Sequence, residues 1–425
     1  VQSRRLRHYP MEKSHLTNQR FSSLPLNEAL QESLEDHGLE FCTPIQAATL
    51  PKALKGKDIA GQAQTGTGKS AAFLLALLHH LMETPVEEGK VGPWAMILAP
   101  TRELALQIHR DAETLGSYTG LTFAAIYGGT GYESQRRQLE EGIDVIIGTP
   151  GRIIDYYKQQ VFSLRNIEVV VLDEADRMFD LGFVSDIRYL LRRMPPPGQR
   201  INMLFSATLA ARVMELAYEH MNDPEVIRIE TEHVTADKVS QQLYHVANNQ
   251  KMSLLIGLFR HHAPKRSIVF VNTKRAAEQV HAYLSSNGLE AGMLSGDIPQ
   301  NKRQRLLELF QRGDLPVLVA TDVAARGLHI PEVSHVINFD LPQDPEDYVH
   351  RIGRTARIGA SGNAISLACE QYVYSLPDIE AFIEQKIPVE PTTENLLVDI
   401  KRPRHIQRHD GGQQRRPRRP RRAVS

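Results

Sequence analysis

Two short stretches of this chain combine residue types that can do phosphate chemistry. The first, Ala63-Gln64-Thr65-Gly66-Thr67-Gly68-Lys69-Ser70, comes after the apolar pair Ile59–Ala60 and opens a run rich in Ala and Leu. Gly66 and Gly68 let backbone N–H groups curl round phosphate oxygens, and Lys69 is placed to reach a β- or γ-phosphate. Ser70 is placed to ligate Mg²⁺, and a helix starting there adds its dipole. The usual first glycine of such a loop is Ala63 here. The second stretch, Asp173-Glu174-Ala175-Asp176, ends the apolar run Val169–Leu172. At the carboxyl end of a buried strand, Asp173 can hold the metal through its water shell. Glu174 can orient and deprotonate an attacking water. Even alone the first stretch reads as a phosphate loop in preference to a glycine-rich turn, whereas the second without it would read as an acidic helix start. Together they imply a Mg²⁺-dependent nucleoside triphosphatase.

Positioning these groups requires strands buried on both faces. Nearly unbroken apolar runs recur at Ala95–Ala99, Val145–Ile147, Val169–Leu172 and Met203–Phe205, and again at Ser267–Val271, Val317–Ala320 and His335–Ile337. Runs of this kind, rich in Val and Ile and without alternation, suit parallel sheets covered by helices. The stretches Glu103–Leu115, Ala276–Ser286 and Asn301–Gln311 have helical spacing, so the class is α/β, doubly wound. The boundaries predicted from composition are an N-terminal extension at 1–19, a first domain at 20–229, a linker at 230–239, a second domain at 240–390 and a tail at 391–425.

Composition narrows the setting. Of 425 residues 41% are hydrophobic, which excludes disorder as a description of the whole. No apolar run reaches the roughly 18–20 residues that cross a bilayer, and no signal peptide is expected, since Arg4, Arg5 and Arg7 precede no apolar block. Only Cys42 and Cys369 occur, far apart, which excludes a disulfide scaffold or zinc ribbon and fits a reducing cytoplasm. The formal charge is zero but divided: residues 401–425 carry ten Lys or Arg and one Asp, a net of +9, leaving −9 on residues 1–400. A basic tail on an acidic body suits nucleic acid. Rich in Arg, Pro, Gly and Gln, it is expected to be disordered.

Asp173–Asp176 spells DEAD, and further motifs accompany it in order along the chain. They are Gly38…Thr43-Pro44-Ile45-Gln46, Pro100-Thr101-Arg102-Glu103-Leu104-Ala105, Gly128-Gly129, Thr149-Pro150-Gly151-Arg152 and Ser206-Ala207-Thr208. In the second half come Ile268–Thr273, Gln300–Arg303, Ala320-Thr321-Asp322 with Ala325-Arg326-Gly327, and His350–Arg357. On these motifs the chain resembles the DEAD-box ATP-dependent RNA helicases over roughly residues 20–385. The resemblance implies two tandem RecA-like domains that use ATP and Mg²⁺ and bind RNA, single-stranded and in short duplexes. The stretches Val319–Pro331 and Ile365–Glu370 are most similar to the bacterial degradosome branch. That implies RNase E and other degradosome components as partners.

The resemblance also implies roles for single residues. Gln46 would read adenine N6 and N7, with Leu39 where relatives carry an aromatic residue. Arg354 and Arg357, expected on one helical turn, would act as arginine fingers on the γ-phosphate. Asp322 and His329 would face the nucleotide, and His329 replaces the usual Asp. Asp176, Ser206, Thr208 and His350 would couple hydrolysis to movement. Pro100, Thr101, Arg102, Gly129, Thr149 and Arg152 in the first domain, with Asn272, Arg303 and Thr321 in the second, would line the RNA track. The Thr hydroxyls, arginines and glycine amide among them suit phosphate and sugar, and none is an obvious reader of base edges. The expected activity is local unwinding by ATP-driven domain closure, in RNA decay and as a monomer. Rival readings are an ATP-gated RNA clamp, a DNA helicase of the same superfamily, and a helicase of ribosome assembly.

Overall fold

The computed structural model describes residues 16–64, 66–84, 91–129, 131–229, 239–295, 298–325, 333–355 and 362–403. The chain divides into two compact units, with the main boundary between Val234 and Thr235.

The first unit is a seven-stranded sheet of β1 (Ile59–Gln62), β2 (Ala95–Leu98), β3 (Phe123–Ile126), β4 (Val145–Gly148), β5 (Val169–Leu172), β6 (Ile201–Ser206) and β7 (Glu225–Arg228), ordered β3-β4-β2-β5-β6-β1-β7. Its described helices are α1 (Glu28–Asp36), α2 (Pro44–Ala53), α3 (Lys69–Glu83), α4 (Arg102–Leu115), α5 (Tyr132–Glu141), α6 (Pro150–Lys158), α7 (Ala175–Asp180), α8 (Val184–Leu191) and α9 (Ala211–His220). All pairings are parallel. The absence of alternation in the strand sequences has a plain cause. Ala95, Ile97, Val169 and Val171 pack into one core, while Met96, Leu98, Val170 and Leu172 pack into a second core on the opposite face.

The second unit repeats this plan strand for strand. Its sheet contains β8 (Val239–His245), β9 (Ser267–Val271), β10 (Ala291–Leu294), β11 (Val317–Thr321), β12 (His335–Asn338), β13 (Gly362–Ala368) and β14 (Val389–Glu390), ordered β10-β11-β9-β12-β13-β8-β14. Lowering each label by seven reproduces the order of the first sheet. The expected α/β class and parallel sheets flanked by helices are therefore present in both halves.

Element ends depart from the sequence reading in three places. Thr17 and Gln19, within the expected extension, exchange backbone hydrogen bonds with Cys42 and join the first unit. Val239, assigned to the linker, begins β8; the rest of that linker, 230–238, lies outside the described residues. Residues 391–403, assigned to the tail, pack on the second unit. Leu396, Leu397, Val398 and Ile400 cover its core, and Asn287 exchanges hydrogen bonds of 2.9 and 3.0 Å with the Lys401 backbone. The apolar run here, Leu396–Val398, is short and lies between polar residues just before the Arg-rich stretch, so overall composition assigned it to the tail. The Arg-rich stretch from 404 onward lies outside the described residues.

Gly257, in the helix Lys251–His262, permits that packing. A β-carbon there would sit 1.9 Å from the Leu396 carbonyl oxygen. Gly→Ala inside a helix ordinarily stabilises by roughly 0.5–1 kcal/mol. Here Gly257→Ala is expected to lower the thermal midpoint by displacing 391–403, and an increase would show that the close approach is absent. Cys42 and Cys369 are free and buried, and burial pushes the Cys42 thiol up to about 11, so packing is their role.

Candidate nucleotide site and nucleic-acid interface

In the first unit, β5, β6 and β1 are neighbours, and the turns at their carboxyl ends converge at one edge. After β1, the Ala63 N–H donates to the Ser206 carbonyl at 3.0 Å. Gly66 and Gly68 then take φ of +90° and +91°, and Gly68 begins α3 from a left-handed conformation that glycine adopts without strain. Lys69 is 5% exposed, and its Nζ lies 3.9 Å from Asp173 Oδ1 with no hydrogen-bond partner among the described residues. Asp173 is 2% exposed. Burial pushes its carboxyl up to about 6; Lys69 opposes this, and Glu174 and Asp176 reinforce it. An ammonium and a carboxylate held close without bonding each other suit a site that receives phosphate and a cation between them.

Glu174 caps α7 with φ +50°, a left-handed conformation uncommon outside glycine. Its N–H donates to Asp173 Oδ1 at 2.9 Å, and its Oε2 accepts from Arg177 Nη1 at 2.6 Å. The Asp176 carboxylate is spent on the neighbouring strand: Oδ2 accepts from Ala207 N and Thr208 N, both at 3.1 Å. The Asp176 N–H donates to Ser206 Oγ at 3.1 Å. The acidic turn after β5 and the Ser206–Thr208 turn after β6 are thus one hydrogen-bonded body. Gln46, buried on α2, donates from Nε2 to the Gly68 carbonyl at 3.0 Å and accepts the Thr43 N–H at 2.8 Å. Its amide is thereby tied to the phosphate loop. Leu39 packs against the first core. The Gln64 carbonyl accepts from Thr67 Oγ1 at 2.8 Å. Ser70 lies in the first turn of α3.

The other half of the same edge, after β2, β4 and β3, gathers cations and helix starts. Pro100 is buried and Thr101 caps α4, accepting from Leu104 N at 3.3 Å. Arg102 lies with its guanidinium 4.4 Å over the ring of Tyr127. Gly129 takes φ +97°. Thr149 caps α6, and Arg152 stacks on Tyr132 and Tyr156 at 4.9 and 5.7 Å. Arg102 and Arg152 each keep Nη1 buried with no hydrogen-bond partner among the described residues. Two stacked guanidiniums beside two helix N-termini form an anion-binding strip.

In the second unit, Arg351 is 1% exposed at the end of the helix Pro345–Ile352. It grips Asp322 through Nε and Nη2, both at 2.7 Å, the Asp340 carbonyl at 2.6 Å and Asn272 Oδ1 at 2.8 Å. Lys251 Nζ meets Asp340 Oδ1 at 2.5 Å, and the Asn272 N–H donates to Asp340 Oδ2 at 3.1 Å. Asn272, Asp322 and Asp340 lie just after β9, β11 and β12, adjacent strands. Asn272 Nδ2 also donates to the Leu341 carbonyl, so its amide and the Asp322 carboxylate are committed within the unit. Arg303 donates to the Ala324 carbonyl at 2.8 Å, and Thr321 ends β11. His350 lies on the same helix as Arg351. That helix stops at Ile352, so buried Arg354 lies beyond its end, and the expected pairing of Arg354 with Arg357 on one turn falls partly outside the described residues. Thr65, His329 and Arg357 lie outside the described residues. Arg177, Lys251, Asp340 and Arg351 were missed by motif reading. Arg351 stands inside His350–Arg357 but was passed over for the later arginines, and Lys251 carries no local signal.

Two family models match this chain: the DEAD/DEAH box helicase over residues 43–216 and the helicase conserved C-terminal domain over 250–359. It is 56% identical over 390 residues to the ATP-dependent RNA helicase RhlB of Vibrio vulnificus, covering 91% of this chain and 90% of that one. The chain belongs to the DEAD-box RNA helicases. Against RhlB of Idiomarina loihiensis the identity is 56%, covering 95% of this chain and 96% of that one. Among solved structures, S. cerevisiae Dbp5 bound to RNA and ADP BeF3 superposes with a TM-score of 0.77 at 32% identity, over 88% of this chain and 96% of that one. Mss116p bound to ssRNA and AMP-PNP gives 0.78 at 26% identity, over 91% and 82%. This DEAD-box protein is therefore an ATP-hydrolysing RNA helicase built from tandem RecA-like domains, as its sequence implied.

Proposed function

We propose that the chain opens short RNA duplexes without regard to sequence, through ATP-driven closure of its two units, and that it serves RNA decay. One observation carries the first part. Phosphate-binding chemistry and the Arg102–Arg152 strip share one sheet edge of the first unit, and the Asp176 bonds to residues 206–208 tie the acidic turn to the end of β6. A change at the γ-phosphate thereby has a short rigid path into the scaffold that holds RNA.

The same reading assigns the site roles. Lys69 binds phosphate, Glu174 takes the proton of the attacking water, and Arg354 with Arg357 steadies the charge that develops on transfer. Gln46 and Leu39 receive adenine. Ser70 and Asp173 fit Mg²⁺: a hydroxyl and one buried carboxylate are the few hard oxygen donors it takes from protein beside triphosphate. Bound there, Mg²⁺ supplies charge neutralisation to the phosphates. Thr101, Thr149, Gly129, Arg102 and Arg152, with Arg303 and Thr321 of the second unit, track the sugar–phosphate chain, and Asn272, whose amide is held by Arg351 and Leu341, positions the turn after β9 beside that track. In the second unit Asp322 acts through Arg351 and not by touching nucleotide.

The RNA-decay reading rests on the relatives' shared name and on apolar side chains left exposed on the second unit: Tyr374, Phe382 and Val389 are 81%, 49% and 59% exposed. They suit docking of an endoribonuclease such as RNase E and other degradosome components. The protein would act in the cytoplasm as a monomer. Among the described residues no helix is long and apolar enough to cross a membrane.

The test is strand displacement from short RNA duplexes and matched DNA duplexes, with Arg354→Ala as the control. RNA opening that requires ATP and falls by about 10³–10⁵-fold in the variant is expected. Equal action on DNA, or an unaffected variant, would overturn the reading.

A further inference from the structure

A second cluster of cations and rings lies on the first unit, away from the strand ends. On α8 and its C-terminal side, Arg188, Tyr189, Arg192 and Arg193 border an open depression of about 730 Å³. The Arg193 guanidinium lies 3.4 Å over the ring of Tyr189, and Lys158, the last residue of α6, places Nζ 5.4 Å from the same ring. Tyr157 meets Tyr189 edge-on at 6.4 Å, and Phe162 packs on Tyr157 at 6.2 Å. Arg188 is compensated, bonded to Glu215 and Glu219 at 3.0 and 2.8 Å. Lys158, Arg192 and Arg193 are exposed and form no ion pair among the described residues. Three uncompensated cations in one place stand out on a body whose first 400 residues carry a net −9.

We propose that this Arg–Tyr platform is a second contact for single-stranded RNA, one that engages the strand after it leaves the strand-end loops. Charge suits the phosphates, and the Tyr189–Arg193 stack offers a flat surface that accepts any base. Position suits it as well. The N-terminus of α6 carries Thr149 and Arg152, and its C-terminus carries Lys158, so the platform lies about one helix length away, roughly 14 Å for nine residues. A strand held at Arg152 reaches the platform within a few nucleotides. An acidic protein segment would use the charges but has no need of the stacked ring.

The inference rests on RNA being the ligand of the Arg102–Arg152 strip, and the experiment separates the two. Binding of a hexanucleotide and of a 20-nucleotide RNA is measured for the full chain, for Arg192→Gln/Arg193→Gln and for Tyr189→Ala, across a salt series. The double variant is expected to bind the hexamer as wild type does and the 20-mer about tenfold more weakly. Its salt slope for the 20-mer should fall by about 1.4, from two lost phosphate contacts at roughly 0.7 each. ATP turnover at saturating RNA should be unchanged, and unaltered thermal melting would confirm intact folding. Wild-type affinity for both lengths overturns the platform, including where an acidic protein partner is lost instead. Equal losses for both lengths also overturn it, because the residues would then belong to the main track. Failure of the wild-type chain to bind the hexamer would count against the strip itself.

Discussion

A Glu174→Gln chain is expected to bind ATP and RNA together and to hold them, with turnover lowered by about 10²–10⁴-fold, the range for loss of a positioned general base. The substitution is nearly isosteric. Its amide oxygen can still accept from Arg177, where the carboxylate does so at 2.6 Å, and the left-handed backbone at φ +50° makes the same demand on Gln as on Glu. Geometry therefore survives, while basicity and one negative charge are lost from a pocket that also holds Asp173 and Asp176. Removing that charge also relieves the repulsion felt by an incoming triphosphate, so nucleotide affinity should rise or hold. With the γ-phosphate intact, nothing releases the closed state. The check is the dissociation rate of labelled RNA after a chase, measured beside single-turnover hydrolysis. Slow hydrolysis with fast RNA release would sink the gating scheme, since it would uncouple γ-phosphate occupancy from the grip on RNA. Lys69→Ala offers the contrast. It removes the buried ammonium 3.9 Å from Asp173 and is expected to abolish turnover through lost nucleotide binding, with no trapped complex.

What the sequence disclosed and what it withheld differ in physical kind. The strands were legible because burial on both faces demands consecutive apolar residues, as at Val169–Leu172. Edge and short strands such as β7 and β14 were not, since their exposed residues need no such run. Phosphate-loop and acidic-turn residues were legible because phosphate chemistry restricts residue type at fixed spacing. By contrast, the platforms under Arg102 and Arg152 are built from Tyr127, Tyr132 and Tyr156, whose spacing signals only helix or loop. The most consequential omission was a set of charges joined only in space. Lys251, Asp340, Asp322 and Arg351 come from four separated segments, and no local pattern foretells that they form a buried cluster.

That cluster yields the largest expected effect on stability. Arg351→Met is expected to destabilise the second unit by about 3–5 kcal/mol, the cost of removing one partner from a buried ion pair. Methionine fills much of the volume but leaves the Asp322 carboxylate, the Asp340 carbonyl and Asn272 Oδ1 without their arginine donors. Arg351→Lys should recover part of the loss, because an ammonium restores the charge but cannot reproduce the two parallel 2.7 Å bonds to Asp322. Denaturant unfolding of the whole chain reads this as a transition moved to lower concentration, and a loss below about 1 kcal/mol would show that the cluster holds little. Activity adds a second reading. Arg351 fixes the turns after β9 and β11, which carry Asn272 and Asp322, so RNA-stimulated turnover should fall even where the fold persists. Lys251→Met supplies the decisive comparison, because Lys251 holds the Asp340 carboxylate while Arg351 holds its carbonyl. If Asp340 is the node through which both act, the double variant should lose less than the sum of the single losses, by more than about 0.5 kcal/mol. Strict additivity would mean two independent pairs that happen to be neighbours.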